Sequence, residues 1–189
     1  MAANKDFYWF GVKKLELAPL PQVAGTTPVW VHVPSIEQAQ LKASVSEVKV
    51  YGDDTQQYTF VHSPEMQLQV KLTKFSGAIA ELITGNSAFT VSGVEGLYMM
   101  TNKDLNPPLL IGRVTLPAKD DATGLPRDLS LVFFKLSARP IWDNFGSERG
   151  KATELNWVFD ALSSTRDERG DNLPAGIDYA FGKYLFPTS

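Results

Sequence analysis

The chain predicts a mainly β fold: a β-sandwich or partial barrel with one short α-helix at its flank. Three observations point there. Apolar and polar residues alternate with a period of two in segment after segment, most cleanly over 66–72. There Met66, Leu68, Val70 and Leu72 fall on one side and Gln67, Gln69 and Lys71 on the other. Helical spacing is clear in one short stretch, 76–84, and prolines and glycines punctuate the intervals between strand-like segments. A length of 189 residues with 43% hydrophobic content supports one full core and is short for two. The expected organisation is a single domain over 1–189, with an N-terminal arm at 1–9 and a C-terminal arm at about 163–189.

Taken in order, Leu15 and Leu17 flank Glu16 in a first strand that Pro19 and Pro21 end. After a loop with Gly25 and Pro28, Val29, Val31 and Val33 make a β-branched alternation with Trp30 and His32, stopped by Pro34. The next strand changes phase. Ala39, Leu41, Ala43 and Val45 alternate with polar residues, but the apolar series resumes at Val48 and Val50. One extra residue near Ser46-Glu47 would restore the pattern, which predicts a β-bulge; a strand passing between two packing environments is the alternative. The strand runs out at Tyr51-Gly52-Asp53-Asp54, and Asp-Asp after glycine is a natural turn sequence.

The strand 66–72 has one apolar and one polar face, as in an antiparallel sheet with a wet side; a water-filled channel would serve as well as bulk solvent. Over 76–84, Phe75, Ile79, Leu82 and Ile83 fall at helical spacing, Ser76 is placed to cap, and Gly85-Asn86 supplies the stop. Gly77 weakens this helix, so it is expected to be held by packing, as a lid over one end of a β-core. Further strands are predicted over 95–101, 109–116, 129–137 and 151–162. The polar stretch between Leu116 and Leu129 reads as a long loop, and 163–174 as irregular. In the tail, Ile177, Tyr179 and Phe181 alternate, then Leu185 follows, which predicts that this terminus docks on something.

Composition narrows the function. A formal charge of −3 argues against a general nucleic-acid binder, which needs a basic surface to neutralise phosphates, though not against a protein that lets DNA pass. Without cysteine there is no disulfide, thiolate metal site or thiol nucleophile. The start carries no apolar run with a cleavage site, and no segment approaches the roughly 20 apolar residues of a membrane span. The expectation is a soluble protein assembled in a cytoplasm. His32 and His62 are the only groups that ordinarily titrate near neutrality, and neither has a carboxylate at ligand-like spacing. Asp53-Asp54 and Asp120-Asp121 do not continue into a calcium loop, and no nucleophile elbow, phosphate loop or dinucleotide glycine pattern occurs. No catalytic residue, metal or cofactor is expected.

Phe10-Gly11 followed by a strand, the strand ending Tyr51-Gly52-Asp53-Asp54, its paired strand, and the stretch ending Glu81-Leu82-Ile83-Thr84-Gly85 together resemble the major tail protein (tail tube protein) family of long-tailed bacteriophages. Phe133-Phe134-Lys135-Leu136-Ser137 sits where that family carries an aromatic-basic strand. The similarity runs over about 10–162; residues 142–150 and the C-terminal tail depart from the pattern. The resemblance implies a non-catalytic virion subunit that forms hexameric rings. The rings stack into the tube through which the genome leaves the capsid. Tape-measure, tail terminator and tail tip proteins are the implied partners, and DNA passes without specific binding.

Within that expectation, stacking needs arms. Phe7, Tyr8, Trp9, Asp120, Asp121, Tyr179 and Phe181 are the candidate inter-subunit contacts, and Gln67, Gln69 and Lys71 the candidate lumen-facing residues. A cationic bore holds phosphates and slows DNA, so lumen faces are expected to present Gln and acidic groups more than Lys and Arg, with Lys71 the exception. The alternative is a monomeric β-barrel or sandwich that binds a small ligand in an apolar cavity.

Overall fold

A computed structural model describes residues 7–9, 11–52, 55–72, 77–86, 89–91, 94–97, 106–120, 124–139, 145–146 and 154–185. Side chains are described over 11–42, 65–72, 77–86, 106–119, 124–139 and 156–185. The alternating segments become strands: β1 (Phe7–Trp9), β2 (Lys14–Pro19), β3 (Val31–Val33), β4 (Ile36–Gly52) and β5 (Thr55–Leu72). The helix α1 (Gly77–Thr84) follows, then β6 (Phe89–Val91), β7 (Val94–Leu97), β8 (Leu109–Asp120), β9 (Pro126–Ala138), β10 (Phe145–Gly146), β11 (Glu154–Ala161) and β12 (Gly182–Leu185). Among the described residues, ten strands share one antiparallel sheet whose main path is β3-β2-β8-β9-β11-β5-β4, while β6 and β7 form a separate hairpin. The path ends at β3 and β4 without closing into a barrel.

The sheet turns on a narrow joint, since β9 and β11 pair only over Leu136–Ala138 and Phe159–Ala161. On either side of it the two halves contribute to one core: Leu15, Leu17, Val33, Leu110, Val114 and Phe133 from β2, β3, β8 and β9, with Leu68, Val70, Leu72, Trp157 and Phe159 from β5 and β11. That is the sandwich-like packing the alternation predicts. Ile79 and Ile83 of α1 enter the same core, with Leu82 packed against its margin. The helix stops where expected. Gly85 adopts φ 69°, a left-handed conformation glycine takes without steric cost, and its N–H donates to Glu81 O at 2.8 Å. Thr84 Oγ1 donates back to Ala80 O at 2.8 Å. Phe75 and Ser76 lie outside the described residues.

A register shift falls between Val45 and Ser46, where the phase change predicts it, but the extra residue is not on β4. Val45 pairs with Pro64 and Ser46 with His62, so Ser63 of β5 is the bulge residue. Strand β4 is not interrupted there. A second irregularity, between Leu110 and Gly112, leaves an extra residue on β9, since their partners are Leu136 and Phe133. The backbone groups displaced there find partners in the C-terminal segment: Phe134 N–H donates to Phe181 O (3.0 Å) and Leu162 N–H to Lys135 O (2.9 Å).

Several expectations need correction. Val29 is exposed, and the strand starts at Val31. The polar stretch 117–128 is largely not a loop: β8 and β9 stay paired through Pro117↔Asp128, Ala118↔Arg127 and Lys119↔Pro126. Pro117 sits on the far edge of β8 between the residues that β2 and β1 occupy, where none of the described residues pairs with it to ask for its missing N–H. Phe7, Tyr8 and Trp9 form β1 against Ala118–Asp120. The segment 163–185 docks on its own chain, through β12 against β9 and the bridges Ser164↔Ala180 and Arg166↔Asn172. Strand β7 ends at Leu97, and residues 98–101 lie outside the described residues, as do Asp53, Asp54, Asp121, 142–144 and 147–150.

Candidate functional site: an amide-rich sheet face

Strand β5 lies between β4 and β11, so its polar face acquires neighbours on both sides. Register aligns Gln38, Lys71 and Asn156 in one row, Gln40, Gln69 and Val158 in the next, and Lys42, Gln67 and Asp160 in a third. Alternation puts these opposite the core face of Leu68, Val70, Trp157 and Phe159. With strands about 4.8 Å apart and same-face residues about 7 Å apart, the patch measures roughly 10 by 14 Å. Gln67, Gln69, Lys71 and Asp160 are half-buried, whereas Gln38, Gln40, Lys42 and Asn156 are exposed. A recess of about 340 Å³ lies over the first two rows.

The charges on and beside this face are matched. Lys71 Nζ is 4.0 Å from Glu37 Oε2, and Glu37 sits at the register shift between Ile36 and Gln38. Arg139 forks Asp160, with Nε 3.0 Å from Oδ2 and Nη2 3.0 Å from Oδ1. Among the described side chains, Lys42 and, one row beyond, Glu65 complete three cations and three carboxylates. Five amides, Gln38, Gln40, Gln67, Gln69 and Asn156, supply the rest. Among the described side chains of this face, amides and carboxylates together outnumber Lys and Arg, and the carboxylates alone only balance the cations. The sequence signal for Gln67, Gln69 and Lys71 was local alternation. The flanking Gln38, Gln40, Lys42, Asn156 and Asp160 were missed because they reach the face through non-local pairing.

Two further concavities flank the core. An apolar groove of about 650 Å³ opens between β4 and the β8–β9 hairpin, lined by Val12, Leu41, Leu68, Leu116, Leu131 and Tyr184 among others. A cleft of about 730 Å³ lies between β5, β11 and the C-terminal segment, bounded by Glu65, Arg139, Asp160, Tyr179 and Phe181. Tyr179 is 71% exposed at its rim. Phe181 is half-buried against the core.

On the outer face of β2, Glu16 is buried among cations. Arg113 reaches Glu16 Oε2 with Nη2 at 2.6 Å and Nε at 2.8 Å, and Lys14 Nζ reaches Oε1 at 2.6 Å. Burial alone would raise the carboxyl pKa; the bonds from Lys14 and Arg113 outweigh it and hold the group below the usual carboxylate range. The Arg113 guanidinium also stacks 4.6 Å over the Trp30 ring, fixing the loop before β3. The fold places exposed His32 directly across from Glu16, a pairing that sequence spacing concealed. This cluster is a structural clamp, since each Glu16 oxygen is already engaged. Among the described residues, no group of three or more His, Asp or Glu side chains is placed to hold a metal ion, and no helix is long and apolar enough to cross a membrane.

Of the residues expected at contacts, Asp120 lies in β8 opposite Phe7, with only backbone described for both, as for Tyr8 and Trp9. His62 pairs with Ser46 in β5, again with backbone alone described. Compared with known families and curated proteins, the chain matches none.

Proposed function

We propose that this chain is a structural subunit that assembles with copies of itself into rings and stacks them into a tube of the long-tailed phage type, with the β4–β5–β11 polar face turned to the bore. The observation that carries the reading is an unfinished sheet edge. Among the described residues, the 17-residue β4 has a strand partner on one side only, β5. Strand β11 covers β5 from Met66 to Leu72; beyond that, among the described residues, β4 and β5 pair only with each other. At about 3.3 Å per residue the overhang from Glu65 to Thr55 is roughly 35 Å long.

A lone two-stranded ribbon is marginal in water, and a long open edge templates association, so a stable protein covers both. The opposite end of the sheet, β3, is three residues long and flanked by Pro28 and Pro34. An open edge at one end and a blunt one at the other favour a head-to-tail contact, which closes into a ring when its rotation permits. The resemblance at 10–11, 51–54, 75–85 and 133–137 supplies the rest. It gives six copies per ring, tape-measure, terminator and tip proteins as partners, a virion location, and DNA that passes without specific binding. No catalytic step is assigned.

Sedimentation across a concentration series tests this reading. The intact chain is expected to enter large assemblies, while a variant with 46–63 replaced by an Asn-Gly turn keeps its β signature and stays monomeric. Equal assembly by the two would overturn the role given to the arm. A second reading, a monomer binding a small apolar ligand, is favoured by the groove between β4 and β8–β9. It predicts saturable binding of an apolar dye by a stable monomer, lost on Leu41→Glu.

A further inference from the structure

A pocket of about 320 Å³ lies where the loop after β2, strand β9 and the segment after β11 meet. Half-buried Lys135 and exposed Arg166 both line it. Neither side chain has an ion pair or a hydrogen bond among the described residues. Lys13, Lys14, Arg113 and Lys183, by contrast, each reach a carboxylate of this chain at 2.6 Å. Two like charges drawn into one concavity without a counterion repel, and an anion from outside relieves both.

Local structure fixes where each cation sits. The extra residue on β9 falls within Phe134-Lys135, opposite Ile111, and a bulge of this kind re-aims the side chains around it. On the facing wall, Ser164 exchanges backbone hydrogen bonds with Ala180 at 2.9 and 3.0 Å. Its hydroxyl donates to Arg166 O at 2.8 Å and accepts from Arg166 N–H at 3.1 Å. The hydroxyls of Ser163, Thr165 and Tyr179 also line the pocket, without partners among the described residues. Asp167 lines it too; its Oδ1 accepts from the N–H groups of Arg169 (2.9 Å) and Asp171 (3.0 Å).

We propose that this pocket is a site for a phosphate-type oxyanion, as the free ion or as the head of a small phosphomonoester. A dianion matches the two cations. Its tetrahedral oxygens use the guanidinium fork, the ammonium and the hydroxyl donors together, whereas a carboxylate has only two oxygens to offer. Asp167, tied into its own turn, tempers the affinity by like-charge repulsion. The site does not depend on the conduit reading.

The experiment is calorimetric titration of the full-length chain with inorganic phosphate, with ionic strength held constant by chloride. One saturable site is expected, with acetate about tenfold weaker or more. Lys135→Gln and Arg166→Gln are each expected to weaken phosphate binding about tenfold, as loss of one charge-assisted bond implies. Asp167→Asn keeps the carbonyl acceptor for its turn and is expected to tighten binding severalfold. Arg166 is exposed, so Arg166→Gln keeps the wild-type urea midpoint and separates lost binding from lost fold. Methyl phosphate bound as tightly as the free ion supports the monoester form, and its exclusion supports the free ion. No saturable binding at millimolar phosphate overturns the proposal. So does binding that neither cation variant weakens, or equal affinity for acetate.

Discussion

Gly182 is the position at which one methyl group should undo the docking of the C-terminal segment. It opens β12 opposite Phe133, and a Cβ built there lies 2.0 Å from Val132 O and 3.0 Å from Val132 C. Ordinary carbon–oxygen contact is well over 1 Å longer than the first of these distances, and both crowded atoms are backbone, so no rotamer relieves the overlap. In Gly182→Ala, β12 has to leave β9. The losses are the register Gly182↔Phe133 to Leu185↔Ser130, the Phe134–Phe181 backbone bond, and much of the burial of Phe181. With each hydrogen bond worth about 1 kcal/mol net and partial burial of Phe181 about 1 kcal/mol, the expected destabilisation is about 3 kcal/mol. At this chain length that lowers Tm by roughly 6–12 °C. Thermal unfolding gives the magnitude, and hydrogen exchange at the Phe134 amide locates it. A Tm within about 1 °C of wild type together with unchanged exchange at Phe134 would refute the reasoning.

Glu16→Gln should cost about 1–3 kcal/mol, measured by urea unfolding, because Arg113 and Lys14 lose their shared anion while Arg113 remains partly in solvent. The native carboxyl is held below its ordinary range, so its contribution is complete above the unfolded value and is lost as pH falls through the folded one. Wild type should therefore lose stability on acidification more steeply than Glu16→Gln, with Lys14, Arg113 and His32 the charged or titratable neighbours on β2, β8 and β3. Parallel acid-unfolding curves would contradict this. Trp157 is buried, its Nε1 has no hydrogen-bond partner among the described residues, and it makes an edge-on contact with Phe159 at 6.3 Å. Trp157→Phe should thus stay within about 1 kcal/mol of wild type, against about 3–5 kcal/mol for Trp157→Ala. A large loss in the phenylalanine variant would show that the indole N–H has a partner after all.

What the sequence made legible was local. Period-two alternation located β2, the core end of β5, β9 and β11, and glycine with an amphipathic stretch located α1, because each signal is contained in a few consecutive residues. The hairpin through 117–128 was hidden by Pro117, Lys119, Asp120 and Pro126, loop-like residues that non-local partners on β9 and β1 hold in register. The shift near Ser46 was detectable as a change of phase, but periodicity in one strand cannot say which strand carries the extra residue. The same limit applies to the polar face. Its Gln67, Gln69 and Lys71 were readable within β5, whereas the neutralising Glu37 and Asp160 depend on β4 and β11 flanking it. Tyr179 and Phe181 looked equivalent by alternation. One is at the rim of a cleft and the other against the core, because β12 and the bulge on β9 draw only the latter inward.

The central claim is assembly through an unfinished sheet edge, and electron microscopy of the concentrated full-length chain tests it most directly. The account predicts hollow rings or tubes of uniform bore, absent when the 46–63 arm is removed. Single globular particles at every concentration would contradict it and leave the apolar groove as the feature to pursue.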